Sequence, residues 1–447
     1  MEKGKIDKIM EKAKRDKVKF VELVFTDIMG MIKSVTIPIQ TLPDCLKGGT
    51  WFDGSSIKGF TRIAESDMYL MPDPETYAVL PWKSKENAVA RFICDIYNPD
   101  GTSFEGDPRY ILKKAMGEAE KLGYKYCVGP ELEFFLFKKV DGKIMPEALD
   151  VGGYFDYEPR DPSSDVRKDI ILALESLGIE VETSHHEVAN GQHEISFKYG
   201  DALTTADNTI TFKHTVKSIA HQYGLHATFM PKPIFGENGS GMHVHQSLFS
   251  VKSGKNAFFD GNDKYKLSNV AKSFIRGQLT HARELCAIVN PTVNSYKRLV
   301  AGYEAPVYIC WASINRSALI RIPRYTKGKE SASRAELRCP DPSCNPYLAF
   351  AAMLFLGLDG IRKKLPLSQP TEEDVYEFDK AKLKELGIKT LPASLYEALM
   401  EFKESTILKE SLGKHFFEVY IEAKLKEWDS FRIQVTQWEK DMYLEKV

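Results

Sequence analysis

The sequence predicts a two-domain α+β protein, and three kinds of observation carry that reading. At 447 residues the chain exceeds the ~250–300 residues at which single hydrophobic cores stop growing. Short runs of alternating apolar and polar residues, the pattern of half-buried strands, recur along its length. Between them lie segments of helical period with explicit punctuation, such as Asp107 and Pro108 at a start and Gly123 just past an end.

Taken in order, 6–15 reads as a short charged helix. Residues 19–25 and 31–37 are β-branched runs around Asp27 and Gly30, which predicts a hairpin. The segment WFDGSSIKGFTR, 51–62, reads as a loop rich in Gly and Ser, and 88–96 as a further strand. The turn Asn98, Pro99, Asp100, Gly101 marks a boundary, giving a small α+β domain over 1–100 and a larger one over 101–447. In the second, helices are expected from Pro108, over 164–177 and 201–223, from Ser268 to about Val289, and from Asn345 and Pro346 to Gly360. Residues 294–324 read as loop and strand, and the C-terminal remainder as helical, charged and aromatic segments in alternation.

Composition excludes several classes. Lys and Arg (61) balance Asp and Glu (62), which argues against a nucleic-acid tract. Seven Cys without a CxxC pair fit a reducing compartment. Residues 1–17 lack the apolar core of a signal peptide, and the longest apolar run, 349–358, is half of the ~20 residues that a membrane span needs. A soluble cytoplasmic protein is expected, with neither nucleic acid nor membrane as partner.

The stretch 129–137 carries the first functional signal. Glu131 and Glu133 sit two apart in an aromatic, strand-like run, so their carboxylates share one face while Leu132, Phe134 and Leu136 share the other. Two like charges about 5 Å apart repel by roughly 3 kcal/mol at an effective dielectric near 20, so such a pair takes up a proton or a cation, or stays solvated. An edge strand with a wet face meets the last condition. The pattern recurs, however. His243 and His245 alternate with Met242 and Val244; Arg334, Glu336 and Arg338 alternate with Ala335 and Leu337; Glu187 and Glu194 flank a turn with Asn190 and Gly191. Several carboxylates with one or two imidazoles favour Mg²⁺ or Mn²⁺ over zinc, which takes more His or Cys. The residues therefore predict a divalent-metal site.

A basic set, Lys297, Arg298, Arg316, Arg321 and Arg324, is the counterpart of the acids. Singly, each reads as well as a surface ion pair. Clustered on either side of Glu336, they point to phosphoryl transfer, where metal and Arg neutralise charge. NGSG, 238–241, is either a hairpin turn or a cradle whose backbone N–H groups approach an anion, and it is no P-loop, since GxxxxGK[ST] is absent. Glu304, in AGYEAPVY, is either a loop tip or part of a lid, and WFDGSSIKGF either a structural turn or a functional loop. On residues alone the function is a metal-dependent enzyme handling phosphate and an acidic substrate.

Longer motifs add a resemblance. Phe52, Asp53, Gly54, Ser55 and Ser56 are followed by Glu65, Ser66 and Asp67, and Lys232, Pro233 and Ile234 by NGSGMHVHQS. With ELEFF, HHEVANGQHE, NRSALIRIP and RAELRCPDPSCNPYLAF, these resemble the type I glutamine synthetases over almost the whole chain, and the shorter subgroup in particular. The resemblance implies a small N-terminal β-grasp domain, a larger catalytic domain with a curved antiparallel sheet and helices, and a dodecamer of two hexameric rings with active sites shared between subunits. It makes Glu133, Glu187 and Glu194 ligands of one Mg²⁺ or Mn²⁺, and Glu131, His243 and Glu336 ligands of a second. It gives glutamate to Asn238, Gly239, Arg298, Glu304, Arg316 and Arg338, and ATP to Glu182, Tyr199, His245, Gln246, Ser247, Arg316 and Arg321. Asp53 would deprotonate ammonium, Glu304 would close over the intermediate, and Arg316 would serve the reacting phosphate.

Two further points come with it. Some type I enzymes are adenylylated on a Tyr in a context like DKNLYDLP, whereas Tyr376 lies in EEDVYEFDKAK and lacks that context. Arg62 matches a position implicated in feedback inhibition, so control by small effectors is expected; a nitrogen-regulatory protein partner is not readable. The rival readings are a ligase joining glutamate to a larger amine and a catalytically silent relative. Retention of Asp53 and Glu304 argues against the first, and the complete ligand set against the second.

Overall fold

The computed structural model describes residues 3–55, 57, 67–303 and 305–447. Its N-terminal helix Lys3–Arg15 buries Ile6 and Ala13 against a six-stranded sheet. Strands Val18–Thr26 and Ile32–Pro38 form the expected antiparallel hairpin, Phe20 opposite Pro38 and Thr26 opposite Ile32. Its turn is set by the Asp27 carboxylate, which accepts the Met29 and Met31 N–H at 2.9 Å, and by Gly30 at φ +76°, where an added Cβ would lie 3.0 Å from Asn345 Cα. Val18–Thr26 runs parallel to Ala88–Tyr97, beside which lie Asp67–Pro72 and then Thr50–Asp53 at the edge. Thr50–Asp53 corrects the reading of 51–62 as loop from its start. Trp51 pairs with Tyr69, their rings 5.3 Å apart, and a partner that distant in sequence leaves no local signal. Val21, Leu23, Leu42, Met68, Leu70, Phe92 and Ile96 fill this core.

The larger core is built on a curved ten-stranded sheet. Its main path runs Tyr308–Ala312, Ala318–Arg321, Ala335–Leu337, Met242–Ser250, Tyr124–Val140, Gln192–Phe197, Val181–His186. Neighbours are antiparallel except at one edge, where Tyr308–Ala312 and Ala318–Arg321 run parallel. The long strand Tyr124–Val140 sits centrally. Its Leu132, Phe134 and Leu136 face the main core with the helices Pro108–Lys121, Ser164–Ser176, Ala202–Gln222 and Pro346–Arg362.

Four helices of this domain, those starting at Pro108, Ala202, Asn269 and Pro346, begin where their caps predict. The Asp107, Asp201, Ser268 and Asn345 side chains accept the Arg109, Thr204, Ala271 and Tyr347 N–H respectively. The helix expected from Ser268 to about Val289 is broken into Asn269–Thr280 and Ala282–Val289. At the break His281 leaves helical geometry (φ −105°, ψ 16°) and its imidazole faces Glu284 at 3.0 Å and Asp359 at 3.3 Å. No Gly or Pro announces this, because the cause is tertiary. The two cores are tied by the buried Arg109 guanidinium, 2.7 Å from Asp73, 2.6 Å from Asp95 and 2.9 Å from Asp207. Removing Arg109 would leave the three carboxylates short of positive charge, the buried Asp207 most of all.

Candidate active site

Six strands of the larger sheet deliver ionisable side chains to one face. Register does the placing: His243 lies opposite Glu131, Glu194 opposite Glu133, His185 opposite Glu194, and on the far side Glu336 opposite His245 and Arg321 opposite Glu336. Strand periodicity turns these groups into a cavity of about 430 Å³. Glu131, Glu133, Glu187, Glu194, His243 and Glu336 line it, with Arg298, Arg316, Arg321 and Arg338 opposite and Asn238 and Gly239 at the turn. All six expected ligands are thus brought together.

The hydrogen bonds give each group a job. Glu133 accepts Gln192 Nε2 at 3.0 Å and Gly241 N–H at 2.8 Å, so the backbone of the NGSG turn reaches a carboxylate of the protein itself. A Cβ on Gly241 would fall 2.5 Å from Arg298 Nη2, so any larger residue there displaces that guanidinium. Glu336 is fully buried and bridges Arg338, 2.6 Å from Oε1, and Arg321 on Oε2. Arg334 donates to His245 Nδ1 at 3.2 Å; a guanidinium only donates, so His245 Nε2 carries hydrogen and gives it to Glu131 at 2.8 Å. His243 Nδ1 instead stands 3.7 Å from both Glu131 and Glu336, too far to bond either and midway between them.

The electrostatics record a shortage of positive charge. Burial pushes the Glu133 carboxyl up to about 8, and the Glu187 charge adds to it. Burial, then the charges of Glu133 and Glu131, pushes Glu194 up to about 9. Burial acts upward on Glu131 and Glu336 as well. There the His243 and His245 imidazoles outweigh it for Glu131, and Arg338 with the same imidazoles for Glu336, holding both below the usual carboxylate range. Burial and then the Arg338 charge lower His243, which keeps it neutral with a lone pair available. The donor chemistry fits hard divalent cations: carboxylate oxygens in excess, one free imidazole nitrogen, and carboxylates whose protonation a cation would make unnecessary. The ring nitrogen of His245 and carboxylate oxygens of Glu131 and Glu336 lie within 4.8 Å of one another, His245 serving there as the hydrogen donor to Glu131, and His185, Glu187 and Glu194 are grouped as closely.

A second cavity, about 260 Å³, adjoins the first through Glu131 and is lined by Glu182, Tyr199, His245, Gln246 and Ser247. One detail departs from the expected role of Gln246. Its amide is turned to the core side, accepting from Tyr126 at 2.8 Å and facing Gln278, because strand alternation opposes it to His245. Asp53 is exposed on its edge strand and lines neither cavity. Arg62 and Glu304 lie outside the described residues. Residue reasoning missed His185, whose Nε2 is 2.9 Å from Glu187, and Gln192; the signal was there, since Gln192 shares a strand face with Glu194, and His185 is on its strand's cavity-facing side two positions before Glu187. Tyr154 and Tyr303 also line the cavity from loops, with no such signal.

Comparison with known proteins decides the family. Residues 17–99 match the glutamine synthetase β-Grasp domain and residues 105–443 the glutamine synthetase catalytic domain. The chain belongs to the glutamine synthetase family. It is 54% identical to the glutamine synthetase of Methanosarcina mazei over 98% of this chain and 97% of that one. With that of Clostridium saccharobutylicum the identity is 52% over 98% of each. Among solved structures, a GmaS/ADP complex superposes with a TM-score of 0.89 at 34% identity, over 98% of this chain and 99% of the other. As a glutamine synthetase-family member, the chain carries both domains, and one cavity gathers five glutamates, His243 and four arginines, while Lys297 and Arg324 of the basic set do not line it.

Proposed function

We propose that this protein ligates ammonia to L-glutamate, coupled to ATP hydrolysis, giving L-glutamine, ADP and phosphate through γ-glutamyl phosphate. What carries the proposal is the sheet face on which five carboxylates and four guanidiniums surround one cavity, in a chain about half identical, end to end, to glutamine synthetases. Two Mg²⁺ or Mn²⁺ ions would be held, one by Glu133, Glu187 and Glu194 and the other by Glu131, His243 and Glu336. Bound there, divalent cations supply charge neutralisation for phosphoryl transfer.

The chain's own groups do the rest. A carboxylate is a poor electrophile, so its activation as an acyl phosphate comes first. Arg298, Arg338, Asn238 and Gly239 orient glutamate. Arg338 keeps a buried Nε–H without a partner among the described residues, which a substrate carboxylate would satisfy. Arg316 and Arg321 meet the transferring phosphate, where pre-placed donors stabilise developing charge. Glu182, Tyr199, His245, Ser247 and the Gln246 backbone line the nucleotide's path.

Asp53 takes the proton that makes ammonium nucleophilic and Glu304 excludes water, roles resting on the sequence motifs. Asp53 does not line its own chain's cavity, which supports sites shared between subunits, in a dodecamer of two hexameric rings. Arg62 serves feedback inhibition. The Tyr376 hydroxyl donates to Ala305 O at 2.7 Å, which, with its altered sequence context, speaks against adenylylation. The compartment proposed is the cytoplasm.

Glutamate labelled with oxygen-18 in its γ-carboxylate tests the route. Label should pass to phosphate with each glutamine formed, and unlabelled phosphate would contradict an acyl phosphate. Ammonium should outperform methylamine and ethylamine; turnover with amines alone would establish the amine-ligase reading instead.

A further inference from the structure

Behind the sheet face that lines the cavity lies a second cluster, Asp150, His186 and His193, with donor atoms within 4.8 Å of one another. Its composition suggests a metal site, and its hydrogen bonds rule one out. Arg167 Nη1 is 3.0 Å from His193 Nδ1 and can only donate, so His193 Nε2 carries hydrogen. His186 has acceptors at both ring nitrogens, the Glu187 carbonyl 2.7 Å from Nδ1 and Asp150 Oδ1 3.1 Å from Nε2. Neither imidazole has a lone pair to offer.

What the cluster does is hold a turn. Asp150 Oδ1 accepts Gly191 N–H at 2.8 Å and Gly152 N–H at 3.0 Å as well as His186, so one oxygen ties the segment after Lys143–Ala148 to the hairpin 186–192. Through Nδ1, His186 then fixes the backbone of Glu187 itself. The imidazole is boxed in: both side chains are buried, and a Cβ on Gly152 would stand 2.8 Å from His186 Nε2. The Glu187 side chain reaches the cavity from this clamped peptide, held there by His185 at 2.9 Å and Val188 N–H at 3.0 Å.

We propose that Asp150 and His186 are positioning residues for the Glu187 carboxylate, setting its distance to Glu194 across the turn and so the affinity of that half of the cavity for a divalent cation. This rests on the proposed role of Glu187 as a metal ligand. Groups of this kind, bonded behind a ligand, typically change metal affinity by about 10–100-fold when removed.

The experiment measures Mn²⁺ binding to the full-length assembled protein, by calorimetry and by the paramagnetic resonance of free Mn²⁺, for wild type, Asp150→Asn, Gly152→Ala and Glu187→Gln. Gly152→Ala displaces the imidazole without altering any ligand or cavity side chain. Thermal unfolding of each variant in metal-free buffer separates loss of positioning from loss of fold. Asp150→Asn and Gly152→Ala are expected to weaken Mn²⁺ binding by about 10–100-fold, with the KM for ATP within twofold of wild type. If Glu187→Gln weakens binding while Asp150→Asn and Gly152→Ala both bind as wild type does, the positioning role is wrong. It is equally wrong if their binding falls only in proportion to an unfolded fraction. If Glu187→Gln itself binds as wild type does, the metal-ligand reading beneath it is wrong.

Discussion

At the scale of single residues the chemistry turns on carboxylates held close together without enough positive charge. Glu133 and Glu194, raised from 4.5 to about 8 and about 9, hold protons more tightly folded than unfolded. Their contribution to stability is therefore fully present below about pH 4.5 and is lost as pH rises through about 8 and 9. In metal-free buffer the melting temperature should contain a component that declines between pH 6 and 9. Saturating Mn²⁺ should remove that decline and release protons on binding at pH 7. Calorimetry in two buffers of different ionisation enthalpy checks both, and a metal-free stability rising steadily over that window would contradict the assignment. These residues were legible in the sequence because alternation makes faces: Glu131 with Glu133 and His243 with His245 needed only a period of two. His185 and Gln192 obey the same period, two positions from Glu187 and Glu194. The distinction between His243 and His245 was not legible, since it depends on Arg334 arriving from another strand.

At the scale of elements the sheet is positioned by what packs behind it. Helix Pro346–Arg362 crosses Asn269–Thr280 so closely that a Cβ on Gly360 would lie 2.0 Å from Ser273 O, and one on Gly277 2.2 Å from Leu356 O. Both obstacles are backbone and cannot swing aside. Gly360→Ala should cost about 1–3 kcal/mol of stability, the usual penalty of overpacking, read as a lower urea midpoint. Its Mn²⁺ affinity should stay unchanged, because neither glycine lines the cavity. An unchanged midpoint would show that the helices can separate freely. Caps at Asp107, Ser268 and Asn345 made the helix starts legible, while the break at His281 and the edge strand Thr50–Asp53 were not, because each depends on a residue distant in sequence.

At the scale of the whole molecule, the question is how an exposed Asp53 serves a cavity it does not line. If sites are shared between subunits, Asp53→Asn and Glu336→Gln chains, each about 10²–10³-fold impaired in kcat, should regain activity when co-assembled. Mixed particles pair an intact Asp53 with an intact cavity. A mixture no more active than its parents would place Asp53 in its own chain's chemistry or outside it. All of this depends on the acidic face holding divalent cations, and counting them is the most direct test. Equilibrium dialysis with Mn²⁺ and a non-hydrolysable ATP analogue should find two ions per wild-type chain, one per chain in Glu194→Gln, and one in Glu336→Gln. Wild-type protein that binds none, or variants that bind as many as wild type, would contradict a two-metal site on this face.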